Sequence, residues 1–339
     1  MSVYTTPTKR CVAQFGRALR SGRRGRRFES CRTDFLIKWR RIYMYKVVED
    51  IRTNWAINDA KRDAGLTTPK TVFRYDNIQY GSDEKYQTLD VYKPINRKKG
   101  NLPVIVNIHG GAWVYGDKDL YQYYAMSLCE KGFAVVNMSY RLAPEVSFKD
   151  QISDINDVFT WICQNKNKYG LDTENVFAVG DSAGAHLLGI FSCICTNNKY
   201  AKKYDIEVSK DFIIRAIALN CGKYFFYEEK TNNYLDDEVV KIVFADEDGK
   251  IDTGLINVTE NVGENFPPTY VMTCFGDFLK EQGAALVKVL EEKKIPFVYR
   301  MYGDKEDELC HIFHCDLKRA MAHICNEDEI RFFGMYIKR

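Results

Sequence analysis

At 339 residues, with 45% hydrophobic and 28% charged side chains, the chain is long enough for one large α/β domain or two ordinary ones, and its composition excludes a disordered or fibrous protein. No stretch approaches the roughly 18–20 apolar residues of a transmembrane helix. The eleven cysteines are odd in number and scattered without zinc-site spacing, so they read as thiols in a reducing, cytoplasmic setting rather than as a disulfide framework.

The net charge of +3 hides an asymmetry. Residues 1–43 hold 12 Lys or Arg against 2 Asp or Glu, about +10, which leaves about −7 on the remainder. An arginine-rich leader, GRALRSGRRGRRFESCRTDF, could be a phosphate-seeking arm or a solvated tail. The segment GRRFESC also resembles a translated transfer-RNA gene, whose GGTTCGA arm decodes as Arg-Phe-Glu. The expectation is therefore a mis-called start, with Met44 as the natural one and no nucleic-acid or membrane role. A native peptide spanning residues 20–40 would overturn it.

From Met44 to about Ala64 the spacing is helical. TVFRYDNIQYG and YQTLDVYKP then alternate as two strands of an antiparallel edge. PVIVNIHG is a continuous apolar run, the pattern of a strand buried on both faces. A helix at about 120–131, the buried strand GFAVVNMSY and a helix over 149–168 follow. NVFAVG, a helix at 183–196, IIRAIALNCG, PTYVMTCFG, a helix at 278–294, PFVYRMYG and a last helix from about Asp316 complete the series. Repeated β-α-β alternation predicts one α/β domain over 44–339, a mostly parallel sheet with helices on both faces. The polar and aromatic stretch 222–263 interrupts it and is expected to be a small lid or cap.

The chemistry-bearing residues fall at strand ends. Gly180-Asp181-Ser182-Ala183-Gly184 places a serine where a strand turns sharply into a helix, and the small neighbours permit that turn. The helix starting at Ala183 aims free N–H groups at anything bound beside Ser182. His109-Gly110-Gly111-Ala112-Trp113 ends an earlier strand, and the Gly110, Gly111 and Ala183 amides are the expected oxyanion donors. A base and its orienting acid should follow in the order acid, then histidine. Asp277 ends one strand, and DELCHIFHCD offers His311 and His314 after the next. His311, on the irregular loop, is the expected base. His314 packs, His186 packs beneath the serine turn, His109 braces the glycine turn, and His323 and Asp181 are structural. Trp113, Tyr115, Phe225 and Tyr227 are candidates for an aromatic pocket.

With HGGAW, YRLAPE and Asp154 downstream, GDSAGAHL, GDFLKEQG and CHIF in order, residues 86–320 resemble the α/β-hydrolases of the hormone-sensitive-lipase-like esterase group. HGGAW and GDSAGAHL are similar to the branch containing carbohydrate acyl esterases and kynurenine formamidases. The sequence departs from the pattern at GDF, where many members have G-x-x-D, and at CHIF, where many have GHxF. The resemblance implies that Tyr140-Arg141 through Glu145 form a buried structural turn with an Arg–carboxylate pair. It implies a serine carboxylesterase acting on small or carbohydrate-linked acyl esters, with Ser182, Asp277 and His311 as catalytic residues and no metal or cofactor. An arylformamidase-type amide hydrolase and a non-catalytic binding module on the same scaffold are the alternatives.

Overall fold

The computed structural model describes residues 27–96, 100–226 and 234–339; the side chains of 27–44 and 234–237 are not described. Most of the basic leader and the candidate Tyr227 therefore lie outside the described residues. Helix α1 (Arg27–Asp63) opens the described chain, and from Val48 onward it belongs to the compact unit Val48–Arg339, to which all that follows refers.

Eight strands form one sheet: β1 (Val72–Gln79), β2 (Thr88–Pro94), β3 (Leu102–Ile108), β4 (Ala134–Met138), β5 (Leu171–Asp181), β6 (Ile214–Asn220), β7 (Thr269–Cys274) and β8 (Phe297–Tyr302). Their order is β1-β2-β4-β3-β5-β6-β7-β8. β1 and β2 are antiparallel, as is β2 against β4, and every later pair is parallel. Between the strands run α2 (Gln122–Cys129), α3 (Phe148–Tyr169), α4 (Ala183–Thr196), α5 (Asn198–Tyr204), α6 (Tyr234–Phe244), the single turns α7 (Thr253–Ile256) and α8 (Val258–Asn261), α9 (Lys280–Glu292) and α10 (Ala320–Gly334). Helices cover both faces of the sheet.

The physics follows the apolar runs. β3, β4, β6 and β7 are buried almost throughout because neighbours and helices enclose them on every side. β2 alternates in sequence yet is buried along nearly its whole length, since β1 rather than β2 takes the edge. The last helix starts at Ala320, not Asp316, because a tight turn at Phe313–Cys315 comes first. α3 is fixed at both ends: Ser147 and Asp150 make a reciprocal capping box, and Gly170 closes the helix with φ 64°. Inside the 222–263 segment α6, α7 and α8 supply regular structure. Among the described residues no helix is long and apolar enough to cross a membrane, and the nine described cysteines are all free.

Candidate active site

Parallel strands bring their carboxyl ends to one edge, where an open α/β sheet binds its ligands. β3 ends at the His109–Trp113 turn, β5 at Ser182 and β7 just before Asp277; His311 lies on the loop after β8. Residues far apart in sequence meet there for that topological reason.

Ser182 occupies φ 53°, a left-handed conformation that costs a non-glycine residue on the order of 1–3 kcal/mol. Its glycine neighbours are dictated by packing. A Cβ on Gly180 would lie 2.5 Å from the Gly184 carbonyl oxygen, and one on Gly184 would overlap the carbonyl oxygen of Ile108 on β3. The turn thus passes between two backbones with no room for a methyl group. Ser182 N–H is held by the Asn220 carbonyl at 2.9 Å.

Ser182 Oγ lies 3.0 Å from His311 Nε2, and His311 Nδ1 lies 2.7 Å from Asp277 Oδ1. Asp277 also accepts from Leu279 N–H at 2.9 Å and from Thr273 Oγ1 at 2.9 Å, and the Cys221 thiol, which donates to Met272 Sδ at 4.0 Å, lies within 4.8 Å of it. Burial pushes the Asp277 carboxyl up, but His311 and these donors outweigh it and hold the group below the usual carboxylate range. His311 keeps part of its ring open to solvent beneath Phe278, whose ring centroid is 4.5 Å away. An alcohol, an imidazole and a carboxylate in this line can abstract a proton from Oγ and stabilise the resulting imidazolium.

The expected oxyanion donors need one revision. Gly110 N–H is already spent, donating to Asp181 Oδ1 and to the Tyr121 hydroxyl, both at 3.1 Å. Among the described residues the amides of Gly111, Ala112 and Ala183 have no hydrogen-bond partner, so these three, unlike Gly110, are open to an acceptor. Gly111 has φ 121°, and a Cβ there would overlap the Tyr115 carbonyl. Ala112 and Trp113 follow at φ 50° and 62°, which turns this backbone inward.

Asp181 precedes Ser182 but points to the His109–Trp113 turn instead of His311, and Tyr121 donates to its Oδ2 at 2.7 Å. Complete burial raises its carboxyl to about 6 despite those donors. His109 stacks on Tyr140 at 4.1 Å and pairs its Nδ1 with the Gly110 carbonyl at 2.7 Å, bracing the turn from below; burial pushes it down to about 4. His186 accepts from the Trp113 indole at 3.2 Å and donates to the Ile256 carbonyl, tying the turn to α7. His314 is enclosed beside Cys315 and Tyr124 and does not approach Ser182 by any hydrogen bond. Asp181, His314 and Cys315, or Cys221, Asp277 and His311, could gather around a metal ion, but both carboxylates are already occupied by the donors just described. Arg141 meets Asp154 at 2.6 Å beneath the 140–145 turn, and Arg52 of α1 grips Glu145 through two 2.8 Å bonds.

A cavity of about 300 Å³ opens at Ser182. Trp113 and Tyr115 line it; Phe225 is not among its described lining residues, and its amide donates to Gln282 Oε1 at 3.0 Å. The wall that sequence reasoning missed is the α1 face Ile51, Trp55, Asn58 and Asp59, with Phe278 and Leu279 opposite. The i, i+4, i+7 spacing was a visible signal of a helix face, but nothing local said what that face covers.

The family model described as BD-FAE matches residues 89–273, just over half of the chain. The versiconal hemiacetal acetate esterase of Dothistroma septosporum is 26% identical over 62% of this chain and 67% of its own length. The arylesterase of Saccharolobus solfataricus is 26% identical over 63% and 70%. A tributyrin phosphonate-inhibited esterase B of Lactobacillus rhamnosis superposes with a TM-score of 0.78 at 25% identity, covering 87% of this chain and 95% of that one.

Proposed function

Because the chain belongs to the BD-FAE family of α/β-hydrolase esterases, hydrolases of small acyl substrates, we propose that it is a serine carboxylesterase working through Ser182, His311 and Asp277. The observation that carries this reading is the unbroken line from Ser182 Oγ to His311 Nε2 at 3.0 Å and from His311 Nδ1 to Asp277 at 2.7 Å. Ser182 Oγ attacks the ester carbonyl while His311 takes its proton, and the carbonyl π electrons move to oxygen. The amides of Gly111, Ala112 and Ala183 receive that oxyanion, each such donor being worth on the order of 3–4 kcal/mol in the transition state. The tetrahedral species collapses, the alcohol leaves with the proton from His311, and an acyl-Ser182 remains. Water, deprotonated by the same histidine, then releases the acid.

The mostly apolar cavity favours a short acyl ester with an aromatic or aliphatic partner. The relatives named for acetate and aryl esters point the same way. Sugar-linked acyl esters are the finer reading, supported by the HGGAW and GDSAGAHL motifs. Fluorophosphonate labelling mapped by mass spectrometry tests the nucleophile: modification at any residue other than Ser182 overturns the assignment. A parallel panel of acetyl, butyryl, feruloyl and N-formyl aryl amide substrates tests the bond; faster turnover of the formamide would make the protein an amidase.

A further inference from the structure

Behind the site lies a buried carboxylate that the reaction above does not use. Glu329, on α10, is completely buried, and no salt bridge reaches it among the described residues. Its Oε1 accepts from the Tyr124 hydroxyl at 2.9 Å, and its Oε2 accepts from Asn220 Nδ2 at 2.7 Å. Burial, opposed by those two donors and reinforced by the charge of Asp181, lifts its carboxyl to about 7. A buried acid without a cation costs stability, so a site that keeps one invites a functional explanation.

Asn220 supplies it. This residue ends β6 in register with Asp181, and its carbonyl accepts the Ser182 N–H at 2.9 Å. The next residue, Cys221, stands at φ 48°, has its N–H on the Met272 carbonyl at 2.7 Å and brings its thiol within 4.8 Å of the Asp277 carboxylate. One short stretch of chain therefore touches the strained serine through its backbone and lies beside the acid through its thiol. Its side-chain anchor is Glu329. We propose that Glu329 is a positioning residue for the reaction: by holding Asn220 it fixes the end of β6 against the Ser182 amide and sets Cys221 against Asp277. The inference rests on the reading of Ser182 as the nucleophile.

The geometry makes a specific demand of a glutamine at this position. Asn220 Oδ1 is buried without a partner. In E329Q the new amide would keep the Tyr124 bond on its carbonyl and, once the Asn220 amide flips, give its NH2 to that orphaned oxygen. E329Q should therefore keep kcat within about threefold of wild type, whereas E329A should lower kcat by about tenfold or more with KM changed less than about twofold. Rates of fluorophosphonate inactivation should fall with kcat, since they read Ser182 directly. N220A should match E329A, and E329A/N220A should be no slower than either, because both remove one link.

The test measures kcat and KM on p-nitrophenyl acetate, inactivation rate and Tm for the full chain and these variants. Wild-type kcat in E329A, or losses that multiply in the double variant, overturns the proposal. So does an E329Q as slow as E329A. If E329A does not fold, N220A alone decides: wild-type kcat there refutes the link. S182A keeps the two readings apart. An active S182A brings down the esterase mechanism itself, whereas an inactive S182A beside an unperturbed N220A and E329A brings down only the role of Glu329.

Discussion

The Asp181 carboxylate lies 3.1 Å from the Gly110 amide nitrogen, so the residue just before Ser182 grips the turn that faces the serine from the neighbouring strand. The turns that end β3 and β5 are thereby tied by one side chain, with Tyr121 completing the carboxylate's partners. D181A should leave Gly110 and Tyr121 unsatisfied and loosen the turn, lowering kcat on the order of 10²-fold, the scale of losing an oxyanion donor. D181N can still accept from Gly110 and donate to a rotated Tyr121 hydroxyl, so it should stay within about tenfold. Steady-state kinetics on a short ester distinguishes them; equal losses would show that charge, not hydrogen-bond geometry, is what matters.

S182A and H311A should each cost on the order of 10⁴-fold or more in kcat, and the double variant little beyond either single one, because the residues act as a unit. D277N should remain folded but lose a large factor as His311 is released from its orienting bond. The check is p-nitrophenyl acetate hydrolysis with active-site titration. Independent, multiplying losses would contradict a shared proton relay.

Trp55 lines the cavity and meets Tyr115 edge-on, with ring centroids 5.8 Å apart. W55A removes one wall without touching the reacting groups. Its KM for acetyl and propionyl esters should rise on the order of tenfold, while longer acyl chains should gain relative to short ones. A series of esters with progressively longer acyl chains reads this. An unchanged chain-length profile would mean that α1 does not border the acyl group.

Glu329 gives a signed stability prediction. Its carboxyl is lifted from 4.5 to about 7 on folding, so its contribution favours the folded state below about 4.5 and is lost as pH rises through about 7. Asp181 acts in the same direction between 3.8 and about 6. His109, His186 and His314, pushed by burial from 6.5 down to about 4, 3 and 3, act oppositely: they stabilise above 6.5 and lose that contribution as pH falls toward those values. E329Q is neutral at every pH, so its stability relative to wild type should improve by on the order of 1–3 kcal/mol between about pH 5 and pH 8. Urea unfolding at the two pH values measures it; a difference that does not grow with pH would place the titration elsewhere.

Much of the site was legible because its signals are short-range. A serine between two glycines at a strand end, a His-Gly-Gly turn after an apolar run, and an acid and a histidine in later loops each follow from local turn chemistry and from the order in which a parallel sheet presents its ends. The partner of the Gly110 amide was not legible, because Asp181 lies 71 residues away. An aromatic row such as the one at Phe225 has no direction until the backbone is placed, and its amide answers to Gln282, 57 residues on. Trp55 was passed over because α1 precedes the first strand and carries no chemistry of its own.

By itself, then, the sequence determined the alternation of strands and helices, the serine turn and the succession of acid and base, since periodicity and steric demands at glycines act over a few residues. The tertiary structure alone decided which amides stay unpartnered, which helix face closes the cavity, and that a glutamate near the end of the chain anchors the strand behind Ser182. Those outcomes depend on which hydrogen-bond partners arrive from distant strands. That is settled when the sheet assembles and every buried donor and acceptor competes for a partner.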